Sequence, residues 1–272
     1  MFKKSFSPFI SSLLSLLFLV VSCTDNPSDI GGTPPELPPA SSMNMDFSTF
    51  QNSQKLEYTT VQSADNFGRA VSVALVLKAV VDANLAIPKL LFAAASKSNV
   101  KAQLNDNEKW EWSYTKTASS NTYSVRLVAS REGNDMVTWE CYVTNTKLGL
   151  DNQLFFKGTA NSNATQGTWT YYNLQNTNSQ EEISQISWAV KGQNDVSLKL
   201  VVASDRNGYK GDYIKYAFDG SVKTASYYDA GADETTKLQV NVDTHAGFIK
   251  SPNYNNGMQS CWDDNLKDTA CS

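Results

Sequence analysis

The chain has 272 residues, 41% of them hydrophobic and 18% charged, with a net charge of −4. That balance is ordinary for a folded protein and allows one large domain or two small ones. The longest basic run is the pair Lys3-Lys4, so the chain lacks the electrostatic footprint of a nucleic-acid binder and no nucleic-acid partner is expected.

The first 22 residues read as an export leader. Lys3 and Lys4 make a positive start, and Ile10 to Val21 is an apolar run interrupted by three serines. The run is short for a membrane span of about 20 residues. It ends in Val20-Val21-Ser22-Cys23, which resembles the lipobox of bacterial lipoproteins. The resemblance implies that Cys23 receives a diacylglyceryl group, that the leader is cut before it, and that the freed amine is acylated. Two or more acyl chains hold a protein stably on a bilayer. The partner implied is therefore a membrane, reached through lipidated Cys23. Thr24 after the cysteine, by analogy with enterobacterial sorting, points to the outer membrane.

Residues 23–42 are rich in proline and glycine. Proline lacks a backbone donor and glycine resists ordering, so this stretch is expected as a tether. A single domain is expected from 43 to 272. Met43, Met45 and Phe47 alternate, as a first strand would. A helical insert follows over 65–96. From Phe67 to Ala86 its apolar residues point in nearly every helical direction, and a helix apolar all round is expected to be buried. Arg69, Lys78 and Asp82 break the run too often for a membrane span. Pro88 is expected to end or kink the helix, leaving a short second helix from about Lys89 to Ser96. Lys78 and Asp82 are four residues apart and share one face. They form either a solvated pair or the polar mouth of a cavity.

From Lys109 to Lys250 the sequence alternates. Trp110, Trp112 and Tyr114 oppose Lys109, Glu111 and Ser113. The pattern recurs at Val137, Trp139, Cys141 and Val143, at Leu154 and Phe156, and at Trp169 and Tyr171. It continues at Ile186, Trp188 and Val190, at Val196 to Val202, at Ile214 to Phe218 and at Leu238 to Val242. Strand side chains alternate between faces, so each segment has one dry and one wet side. One-sided sheets are antiparallel as a rule. Short turns such as Gly192-Gln193-Asn194-Asp195 and Asp219-Gly220 predict hairpins. The expected fold is mainly β, an antiparallel up-and-down meander of about ten strands. It is curled into a barrel or half-barrel around the N-terminal buried helix.

Cys141 falls on a dry face and is expected as a buried thiol. Cys261 and Cys271 enclose nine residues of the tail and are natural disulfide partners in an oxidising compartment. His245 is the only histidine, which rules out a multi-histidine zinc site. Asp205, Asn207 and Asp212, or Asp263, Asp264 and Asp268, lack the register of a calcium loop and read as turns. The sequence carries neither a Gly-x-Ser-x-Gly elbow nor a His-Glu-x-x-His motif. No cofactor is expected and the protein is read as non-enzymatic.

The expected architecture is similar at the level of fold to lipocalins and to curled-sheet carriers of lipid or lipoprotein cargo, although it has no sequence motif of either. That similarity implies an apolar small molecule or lipid bound between helix and sheet. The candidate lining is Lys78, Asp82, Trp112, Trp139, Trp169 and Trp188. The alternative is a surface interaction module with a solid interior, which meets glycan or a protein partner through the loops at 147–153, 173–181 and 230–235.

Overall fold

The computed structural model describes residues 32–50, 65–97, 99–118, 120–133, 135–175, 179–205 and 208–271. The leader, Cys23 and the first part of the expected tether lie outside them. Residues 33 to 272 form one compact unit, and its sheet begins with β1 (Ala102–Leu104), β2 (Trp110–Ala118), β3 (Asn121–Glu132) and β4 (Met136–Asn145). Then come β5 (Leu150–Asn161), β6 (Gln166–Tyr172), β7 (Glu182–Gly192), β8 (Asp195–Val202) and β9 (Tyr213–Asp219). The series ends with β10 (Val222–Asp229), β11 (Glu234–Asn241), β12 (Gly247–Ser251), β13 (Tyr254–Trp262) and β14 (Asp268–Thr269).

All fourteen belong to one sheet, in which each strand pairs with its sequence neighbours. Every pairing is antiparallel. The meander is therefore as expected, and the strand count is higher. Strands β10 and β13 escape a search for apolar alternation. Strand β10 places Lys223 on the inner face, and β13 begins Tyr-Asn-Asn-Gly. The sheet is not closed: β1 and β14 are separate edges. Both edge strands are very short, which limits the unpaired backbone open to another chain.

The inner face carries the core, including Leu127, Trp139, Cys141, Phe156, Trp169, Tyr171, Leu200 and Ile249. Large rings fit there because glycines oppose them. Gly158 pairs with Trp139 on one side and Trp169 on the other, and Gly167 pairs with Trp188. A Cβ on Gly158 would lie 2.0 Å from the Thr168 carbonyl oxygen and 2.5 Å from the Trp169 ring. At one of several register shifts the expected alternation fails. A bulge sets Cys141 opposite Phe156 and Tyr142 opposite Leu154, with Phe155 between. Leu154 and Phe156 therefore do not share a face.

Helix α1 (Asn66–Ala95) is continuous through Pro88, which corrects the expected break. Proline removes one intrahelical bond, but Leu85, Pro88, Leu91 and Phe92 are all buried and hold the helix on both sides of it. The Asp65 carboxylate caps the start, accepting from Gly68 N at 2.6 Å. The N-terminal end is fixed to the last long strand by Asn66 Nδ2 donating to the Cys261 carbonyl at 2.8 Å, and by Phe67 against Trp262. The far end meets the first strands, with Tyr114 Oη donating to the Leu91 carbonyl at 2.7 Å and Phe92 packed on Trp139 and Trp169. One helix thus touches both flanks of the sheet, which is why the sheet must curl around it.

Burial of α1 is one-sided, contrary to expectation. Ala70, Ala74, Leu77, Val81 and Leu85 face the core, while Leu75, Val76, Val80 and Leu90 are 40%, 63%, 37% and 38% exposed. By length and composition α1 is apolar enough to cross a membrane. Its anchored inner face makes it an integral part of the domain instead.

Residues 33–42, expected as tether, are packed on the domain. Pro35, Pro38 and Ser42 are buried, and Arg131 donates to the Thr33 carbonyl at 2.7 Å. A 3-10 turn spans Ala40–Met43. Met43, Met45 and Phe47 are buried alternately as expected, yet they join no strand. This segment lies inside the curl, where Phe47 meets Tyr216 edge-on and Trp169 Nε1 donates to Ser42 Oγ at 3.4 Å.

Candidate functional site

The interior divides into a filled half and an open half. In the filled half Trp112 and Trp139 lie 5.6 Å apart, Trp169 stacks on Trp188 at 6.3 Å, and Phe92 sits between Trp139 and Trp169. None of these four tryptophans is more than 4% exposed. They fill space, and none of them lines the cleft in the other half. Packing is close enough that Trp139 Nε1, Trp188 Nε1, Tyr171 Oη and Ser184 Oγ are buried without a hydrogen-bond partner among the described residues. Each such atom costs about 1–3 kcal/mol, which the surrounding ring burial offsets. Burial likewise pushes the Cys141 thiol and the Tyr171 hydroxyl far above their ordinary pKa values.

The open half is a cleft of about 520 Å³ between the middle of α1 and β7–β10. Small-molecule sites commonly enclose ~300–1,000 Å³. The helix contributes Val76, Leu77, Val80, Ala83 and Asn84; the sheet contributes Ile183, Leu200, Val202 and Ile214. Short side chains on α1 at this level leave the space that Phe92 fills further along. The remaining wall is Ser204, Tyr209, Asp212, Tyr213 and Tyr227.

Backbone pairing fixes that wall. Past the end of β8, Val202 N donates to the Asp212 carbonyl at 2.9 Å and Gly211 N to the Val202 carbonyl at 3.0 Å, which closes the β8–β9 turn. Gly211 holds φ +93° there, a conformation that favours glycine. Asp212 is thereby drawn inward to 3% exposure. Its carboxylate accepts from Tyr227 Oη and, at 2.9 Å, from Ala230 N. Burial raises the Tyr227 pKa, and the hydrogen bond to Asp212 raises it further.

Lys78 and Asp82 pair with each other. They sit on the flank of α1 away from the cleft, and neither lines it. A different charge pair lies inside the curl. Lys223, 6% exposed, reaches Asp46 Oδ2 at 2.7 Å and Thr49 Oγ1 at 3.1 Å, pinning the N-terminal segment to β10. Burial raises the Asp46 pKa, but hydrogen bonds from Lys223 and Ser48 outweigh it and the net shift is downward.

The convex face carries a second, shallower depression of about 500 Å³ over β7–β10, paved by Ser187, Ala189, Ser197, Ala217, Thr224 and Ser226. The cations beside it are engaged: Lys199 and Lys215 lie 4.4 and 5.1 Å from the Tyr213 ring, which stacks on Tyr228 at 4.8 Å.

In the tail, Cys261 and Cys271 are bonded, and Cys141 is a buried free thiol. His245 occupies a left-handed turn, its carbonyl accepting from Trp262 Nε1 at 2.7 Å. Asp263 accepts from Asn265 N and Lys267 N, both at 2.9 Å, as a plain turn residue does. Among the described residues no cluster of three His, Cys, Asp or Glu could hold a metal ion.

The cleft lies between helix and sheet, and none of Lys78, Asp82, Trp112, Trp139, Trp169 and Trp188 lines it, so its lining is not the one that sequence reasoning singles out. Asp212 enters that reasoning only as a calcium candidate, and Tyr209, Tyr213 and Tyr227 do not enter it. The available signal was the turn Gly208-Tyr209-Lys210-Gly211-Asp212-Tyr213, whose two tyrosines are more aromatic content than a plain hairpin turn needs. Compared with protein-family models, with curated proteins and with solved structures, the chain matches none.

Proposed function

We propose that the protein is a lipid-anchored, non-enzymatic component of the bacterial cell envelope, held at the outer membrane through Cys23, that binds an apolar or amphipathic small molecule. The observation that carries the binding role is the cleft between α1 and β7–β10. It joins an apolar floor of Leu77, Leu200 and Ile214 to a polar wall around Asp212. Mostly apolar concavities with a few convergent polar groups are the usual form of small-molecule sites. The anchor rests on Val20-Val21-Ser22-Cys23 and the leader before it.

The test uses the chain from residue 23 onward carrying Cys23→Ser, purified without detergent. Native mass spectra and organic extracts should return a bound apolar species, and Ala83→Trp, which fills the cleft, should lose it. A parent chain with no bound mass and no fluorescence response to added amphiphiles overturns the reading. The anchor is tested separately in the native host. A Cys23→Ala chain that stays membrane-bound with an unchanged N-terminal mass rules out lipidation.

A second reading, a surface interaction module, is favoured by the exposed apolar stripe of Leu75, Val76, Val80 and Leu90 on α1. Contiguous exposed apolar surface is typical of contact sites. Leu75→Glu with Leu90→Glu changes this stripe outside the cleft lining. Loss of a partner with ligand retained would favour the module.

A further inference from the structure

Among the described residues that line the cleft one carries a formal charge, and it is negative. Asp212 is 3% exposed and lines the space directly. It accepts two hydrogen bonds, from Tyr227 Oη and Ala230 N, but forms no ion pair among the described residues. A buried carboxylate without a counter-charge is costly, since hydrogen bonds replace only part of its lost hydration. A carboxylate has about four lone-pair sites, and the hydrogen bonds from described residues take up two of them.

Among the described residues the surroundings do not supply a cation. Lys199 and Lys215 are held over Tyr213 on the convex side. Lys78 is paired with Asp82 on the other flank of α1, and Lys210, in the same turn as Asp212, is exposed and outside the lining. The nearby Asp229 adds further negative potential, and it contributes to the raised Tyr227 pKa.

The other polar members are aromatic. Tyr227 is fixed by its bond to Asp212, and Tyr209 stands 56% exposed at the rim of the same cleft. Aromatic faces attract ammonium groups, and more strongly where water is excluded. Beyond them the space continues over Val76, Val80, Leu200, Val202 and Ile214, a surface for hydrocarbon. A fatty-acid carboxylate or a phosphate ester would bring a second negative charge to Asp212 and meet no cation.

We propose that this cleft takes an organic cation with an apolar tail, of the alkylammonium class, with Asp212 as its counter-charge and Tyr209 and Tyr227 around its head. This rests on the reading of the cleft as a ligand site.

The experiment titrates the same Cys23→Ser chain with octyltrimethylammonium, octyl glucoside and octyl sulfate, each below its micelle concentration, by calorimetry. The cation should bind roughly ten-fold or more tighter than octyl sulfate, equivalent to about 1.4 kcal/mol. In Asp212→Asn that preference should vanish through loss of the cation, while Tyr227→Phe, which keeps the charge, should retain the order. Should Asp212→Asn unfold, the three-ligand comparison on the parent chain still decides. Equal binding of all three, or tighter binding of the sulfate, overturns the charge assignment and leaves an apolar site standing. Binding of none of them, or binding unchanged by Ala83→Trp, removes the ligand site itself.

Discussion

The two halves of the interior are built on the same sheet and the same helix, yet one is solid and the other open. In the solid half, the far end of α1 sends Phe92 between Trp139 and Trp169, and Ser42 from the N-terminal segment meets the Trp169 indole. In the open half, α1 presents Val76, Val80 and Ala83 to β7–β10, and among the described residues no side chain of comparable size crosses the gap. A visible difference lies in side-chain volume at a few helix positions, Phe92 in one half against Val80 and Ala83 in the other. A curled sheet of this size encloses more room than one helix fills, so where the filling stops is where a cleft arises.

That contrast can be broken most forcefully in the solid half. Trp139→Ala, at a side chain with no exposure, should destabilise the protein by about 3–5 kcal/mol in urea denaturation. A loss below about 1 kcal/mol would mean that the aromatic cluster is loosely packed and the two halves are not different in kind.

A smaller effect sharpens the same comparison by adding volume. Ala129→Phe, on the inner face with no exposure, should cost about 1–3 kcal/mol through overpacking. Ala83→Phe projects into the cleft and should cost less than about 1 kcal/mol, since the space already exists. Similar losses at both sites would show that the cleft closes in solution.

The smallest effect concerns the segment that plugs the curl. Asp46 has a lowered pKa in the folded chain, from an ordinary value of 3.8. A lowered acid stabilises the fold at pH above the unfolded value, and that contribution is lost as pH falls through the folded value. Stability should therefore decline as the solution is taken below about pH 4, and Lys223→Met should remove this part of the decline. Asp46 is partly exposed, so the loss should be well below the ~3–5 kcal/mol typical of breaking a fully buried pair. An acid limb identical in Lys223→Met and parent would show that the pair does not hold the segment.

Much of the sheet was legible because its signal is local. Alternation at Trp110–Tyr114, Val137–Val143 and Val196–Val202 places each side chain on its observed face. The failures have local causes too. The bulge at Phe155 inserts a residue that no periodicity announces. Lys223 stands on the dry face because its partner Asp46 is 177 residues away. Pro88 reads as a helix stop, and only the packing of Leu85 and Leu91 keeps the helix running. The lining was harder still. Large aromatics at Trp112, Trp139, Trp169 and Trp188 suggest a cavity as readily as a core, since size alone does not say whether a ring fills space or borders it.

Read alone, the order of residues dictates an antiparallel meander with one dry face, an apolar helix before it and a cysteine pair at its end. Those properties depend on neighbours within a few positions, through the two-residue period of strands and the 3.6-residue period of helices. Which face of α1 meets the sheet, where the interior is left open, and that Asp212 stands there bonded to Tyr227 were settled by folding. Each depends on the distance between segments far apart in the chain, set by the curl of fourteen strands and the packing of a few helix side chains against them.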